Sequence, residues 1–84
     1  MNTMFLLMAE YETSQIPLSV VAEKFLNLSA SYADRQAALG RLPIPSYKDI
    51  NNQKSPRLVH VRDLAEWIDR NLIEAKDELN KIQN

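Results

Sequence analysis

The chain contains a single glycine, Gly40, and the period of its sequence changes there. Ahead of it, apolar residues recur at helical spacing. Leu18, Val21, Ala22 and Phe25 predict a helix over 18–26, which Asn27-Leu28-Ser29 breaks. Ala30, Ala33 and Ala37 share one face of a second helix over 30–39, at about 100° per residue. Gly40 follows its last residue, where a left-handed backbone closes many helices. Beyond it, Leu42–Lys48 and Arg57–Val61 read as extended, separated by a polar tip from Asn51 to Pro56. Pro43 and Pro45 donate no hydrogen bond, so Leu42–Pro45 is an edge strand or a stiff connector, not a central strand.

Two short helices joined by a tight turn form a helix-turn-helix, whose second helix can enter a DNA major groove. A hairpin following it reads as a wing. The expected fold is mainly α with a small β-hairpin: a winged helix-turn-helix with a long C-terminal helix. In the second helix, Ser29 is the expected N-cap, with Ser31-Tyr32-Ala33-Asp34 as an alternative one register later. Ser31, Tyr32 and Arg35 lie opposite the alanine face, flanked by Gln36, while Arg41 follows the helix end. Lys48, Lys54 and Arg57 belong to the wing, the last two placed at its tip.

The flanking segments brace this unit. Met4-Phe5-Leu6-Leu7-Met8-Ala9 has no preceding base and stops at Glu10, unlike a secretory signal. It predicts a helix over 3–11, capped by Asn2 or Thr3, with Met4, Phe5, Met8 and Tyr11 inward. Residues 12–15 read as a polar loop, with Pro17 at the entry to the next helix. From Arg62 to about Gln83 the chain predicts one helix. Leu64, Ile68, Leu72, Ala75, Leu79 and Ile82 are spaced 4, 4, 3, 4, 3, close to a coiled-coil seam. Its first half should pack on the N-terminal helix, with Trp67 over the joint. Its second half exceeds what the core needs, so it either pairs with another chain or frays, pairing being slightly favoured.

Charge divides the chain. Residues 24–62 carry seven basic residues against two acids, and the remainder three against nine, consistent with the net charge of −1. A basic block inside a slightly acidic chain is a nucleic-acid signature. Eighty-four residues make one domain, residues 1–84, in which only about 60 % of the unfolded surface can be buried. With no cysteine and one histidine, neither a disulfide nor a multi-histidine metal site is available, and no cofactor is expected. No nucleophile–base set, carboxylate pair or phosphate loop appears, so an enzyme is the least favoured class. His60 reads as a packed or capping residue. The absence of cysteine fits a reducing cytoplasm, and no membrane span is expected.

Several blocks together resemble the pyocin activator (PrtN) family of small phage- and bacteriocin-associated regulators. They are residues 1–11, Ile16-Pro17-Leu18, Leu42-Pro43-Ile44-Pro45, Gln53-Lys54-Ser55-Pro56 and Val59-His60-Val61-Arg62-Asp63-Leu64-Ala65. The resemblance implies a DNA-binding activator of prophage or phage-tail-like bacteriocin genes. It also implies an excisionase- or MerR-like form of the winged fold, and leaves open an excisionase-like architectural role. A helix-mediated protein-interaction adaptor is the alternative from another class. Double-stranded DNA is the expected partner, with a second copy through the C-terminal helix and RNA polymerase as further ones.

Overall fold

A computed structural model describes residues 2–52 and 54–83. In chain order the elements are α1 (Thr3–Tyr11), β1 (Gln15–Pro17), α2 (Leu18–Val21, continuing as a π-helix over Ala22–Leu26), α3 (Ala30–Ala38), β2 (Leu58–His60) and α4 (Val61–Gln83). The chain is mainly helical with a two-stranded antiparallel sheet and a long C-terminal helix, as its periodicity predicts.

Local chemistry explains the helix ends. The Asn2 side chain accepts the Phe5 N–H at 2.9 Å and opens α1. Ser29 Oγ accepts the Tyr32 N–H at 3.3 Å and opens α3, so the alternative cap at Ser31 is not used. The end of α3 is a Schellman motif. Gly40 donates to the Ala37 carbonyl and Arg41 to that of Gln36, with Gly40 at φ 68°. Glu12 and Asn27 end the first two helices in the same left-handed region without being glycine. At the start of α4, the ring Nδ1 of His60 accepts the Arg62 N–H at 3.1 Å, a capping role.

The sheet is paired differently from the expected wing. Its second strand is the anticipated one, but its partner is Gln15–Pro17, with Ile16 opposite Val59. Residues 12–15 are therefore not all loop. The segment Leu42–Lys48 contributes one bridge, Tyr47 to Leu58. Two causes favour this arrangement. Pro43 and Pro45 remove donors from the 42–48 segment. Ile16 and Val59 are both buried, so pairing them closes the core, and Pro17 sits at the strand end where its missing N–H is harmless.

The core gathers Leu7, Ile16, Leu18, Val21, Ala22, Ala33, Ile44, Val59, Val61, Leu64 and Ala65. On α1 the inward stripe is Met4, Leu7 and Tyr11. The expected inclusion of Phe5 and Met8 fails: Phe5 is 54 % exposed and Met8 38 %. An unbroken apolar run of six residues carries no period, so its rotation is decided by the surface it meets. That surface is α4, which runs antiparallel to α1. Val61 N–H donates to the Ser14 carbonyl at one end, and Thr3 Oγ1 donates to Asp69 at 2.5 Å at the other. Trp67 and Ile68 are half-buried at the joint. From Asp69 onward every described residue of α4 is exposed. The molecule measures 53 × 28 × 18 Å, and its radius of gyration of 14.6 Å exceeds the roughly 12 Å expected of a compact chain this long.

Candidate nucleic-acid interface

Helix α3 is held from one side. Ala33 is fully buried against the core and Ala37 half-buried, so small side chains seat the helix close to α2. The opposite face carries Ser31, Tyr32 and Arg35, all exposed, with Gln36 half-buried beside them. The Arg35 guanidinium lies 6.0 Å from the Tyr32 ring centroid, at the outer range of a cation–π contact. Together the two present a donor fork and an aromatic face on one turn.

The basic residues of the 24–62 block divide into two groups. Lys24 forms an ion pair with Glu10 at 2.7 Å, which holds its pKa above the usual lysine range. Arg57 is only 17 % exposed and places Nε 3.5 Å from an Asp34 carboxylate oxygen on α3. That spacing is an ion-pair distance without hydrogen-bond geometry, and Nε has no hydrogen-bond partner. Arg57 is thus not at the loop tip but at its base, against α3. Its carbonyl accepts the Leu18 N–H at 2.8 Å, tying the loop to α2 as well. A cleft of about 290 Å³ lies here, lined by Leu18, Ser19, Ser31, Asp34, Pro56 and Arg57. Arg35, Arg41 and Lys54 are exposed, and Lys48 is half-buried. The structure therefore brings Ser31 and Arg57 together across the cleft, and leaves Lys54 on the loop.

The loop between Tyr47 and Arg57 is internally hydrogen-bonded. Asp49 N–H donates to Ser55 Oγ, and the Asp49 carboxylate accepts from Asn51 N–H. Asn52 Oδ1 accepts from Lys54 N–H, while Asn52 and Ser55 N–H donate to the Asp49 and Asn52 carbonyls. Ile50 projects from this frame, 89 % exposed. Residue typing overlooked it; the available signal was one apolar side chain isolated within Lys48–Lys54.

The family model for pyocin activator protein PrtN matches residues 3–75. The chain belongs to this family. No curated protein and no solved structure matches it. The matched span takes in the whole body, the loop and the first part of α4, and ends before Leu79 and Ile82. The resemblance carried by the N-terminal, Leu42–Pro45 and Val59–Ala65 blocks is thereby borne out. Family membership implies a regulatory, non-enzymatic role. Among the described residues, no group of three or more His, Asp or Glu side chains could hold a metal ion. None of the described helices is long and apolar enough to cross a membrane.

Proposed function

We propose that the chain is a sequence-specific DNA-binding regulator that activates pyocin or related prophage genes. Family membership supports the regulatory role, and the shape of α3 carries the DNA-binding reading. A helix seated by Ala33 and capped at both ends fixes the backbone from which Ser31, Tyr32 and Arg35 point outward, so little main-chain freedom would be lost on binding. Arg35 is the side chain suited to a bidentate contact with guanine, and Gln36 to adenine at the edge of the same face. Arg41, Lys48 and Lys54 would contact phosphates and set orientation without reading sequence. Arg57 would contribute where the cleft faces the backbone, and the 48–57 loop would act as the wing.

Activation needs a further surface. The exposed length of α4 supplies one, either for a second copy along Leu72, Ala75, Leu79 and Ile82 or for RNA polymerase along Glu74, Asp77 and Glu78. A protein-interaction adaptor would use the same seam, and its complex would be insensitive to salt. The deciding experiment is a mobility-shift series on fragments upstream of pyocin and prophage genes. The expected outcome is one retained fragment, with binding that weakens steeply as salt rises. Arg35→Ala should cost about 1–3 kcal/mol on that fragment and much less on random duplex. Equal loss on both would make Arg35 a phosphate contact, and retention of no fragment at any salt would overturn the reading.

A further inference from the structure

A lone exposed isoleucine is ordinary on a protein surface. Ile50 is distinguished by its mounting. It is more exposed than any other large apolar side chain among the described residues, at 89 %. The backbone on both sides of it takes part in the five hydrogen bonds of the loop, and the side chain itself stands in solvent. The loop base is fastened twice, by the Tyr47–Leu58 bridge and by Arg57 against Asp34 of α3. The preceding acid, Asp49, accepts the Asn51 N–H with its carboxylate, and Lys54 is exposed on the same loop. The 49–52 turn thus presents an exposed apolar side chain, with an exposed lysine further along the same loop.

From this arrangement we infer that Ile50 is an apolar wedge that enters the minor groove of duplex DNA and partly unstacks one base step. The inference rests on the DNA-binding reading of α3 and deepens it. Isoleucine is among the side chains that serve as such wedges, and the groove, about 6 Å wide, admits a loop tip but no helix. Pinning the loop beforehand removes an ordering cost from insertion. Lys54 meets a phosphate at the groove edge. Unstacking is cheapest at pyrimidine–purine steps, so the DNA chosen carries a TA or CA step where the loop lands, displaced from the bases under α3. The protein then bends its site as well as reading it.

The test uses the full chain and duplexes enriched by it from a randomised pool. Each enriched duplex carries a fluorophore at either end and 2-aminopurine at the pyrimidine–purine step. Binding by the wild type should shorten the end-to-end distance and raise the 2-aminopurine signal. Ile50→Ala should abolish both responses while thermal unfolding stays unchanged and affinity moves by less than about tenfold, since the cost of unstacking vanishes together with the contact. Ile50→Leu should restore both. Straight DNA under the wild type, or an Ile50→Ala complex as bent as the wild type, overturns this inference alone. A pool from which no duplex is enriched overturns the DNA-binding reading and this inference with it.

Discussion

Arg57 and Lys54 carry the same charge three residues apart, yet their surroundings give them different work. The Arg57 stem packs into the cleft beside Leu18 and Pro56, and its head lies by Asp34. Removing it opens packing as well as an ion pair. Arg57→Ala is therefore expected to destabilise the fold by about 1 kcal/mol, a drop of roughly 4–8 °C in a melting curve for a domain of this size. Lys54 stands on an exposed loop, where substitutions usually stay within about 0.5 kcal/mol. Lys54→Ala should leave melting unchanged, weaken cognate and random duplex alike, and flatten the slope of log affinity against log salt by about 0.9. A Lys54→Ala protein with the wild-type slope would show that the loop tip does not meet phosphate.

At the scale of elements, α3 depends on its closures more than on its length. Nine residues are too few for a stable isolated helix. Its two caps and the Ala33 contact hold it. Gly40 meets nothing within 4 Å where a Cβ would project, so a side chain there has room. The difficulty is the backbone at φ 68°, which costs an L-residue about 1–2 kcal/mol. Gly40→Ala should lower stability by that amount, and Gly40→Asn by less, because asparagine tolerates the left-handed region. Equilibrium denaturation of the two variants beside the wild type measures the difference. Equal stability of Gly40→Ala and wild type would mean that the helix end can close without the Schellman geometry.

The whole molecule is a small body with a projecting helix. Thr3 meets Asp69, so α1 stops there and leaves the seam of α4 uncovered beyond it. Leu72, Leu79 and Ile82 are 50 %, 54 % and 82 % exposed along the same line as the buried Leu64. With α1 on the near part of that face, two copies pairing antiparallel through the far part would bring Leu72 of one toward Ile82 of the other and Ala75 toward Leu79. The overlap is about 15–20 Å long at 1.5 Å per residue, a small contact, so association is expected to be weak. Sedimentation at rising concentration should show a heavier species, which Leu79→Glu removes without changing the melting of the body. Being apolar, this association should persist at salt concentrations that release DNA. A wild type that remains monomeric with and without DNA would overturn it.

Much of this architecture is written locally. Asn2, Ser29 and Gly40 mark helix ends through hydrogen bonds and dihedral angles that neighbouring residues decide among themselves, and each performs its marked role. The α4 seam is equally legible, because a spacing of three and four defines a face whether or not anything covers it. The alanine face of α3 likewise implied that Ser31, Tyr32 and Arg35 point away from the core. Other features required the assembled chain. Gln15–Pro17 becomes a strand because Val59 offers Ile16 a partner more than forty residues away in sequence. The rotation of α1 is chosen by α4, since six consecutive apolar residues contain no preferred face. Arg57 changes from a tip cation to a packed one because the sheet draws its backbone against α2 and Asp34 reaches it from α3. Local propensity acts over a turn or a cap; pairing, rotation and burial depend on which distant surface arrives, and only the tertiary structure decides that.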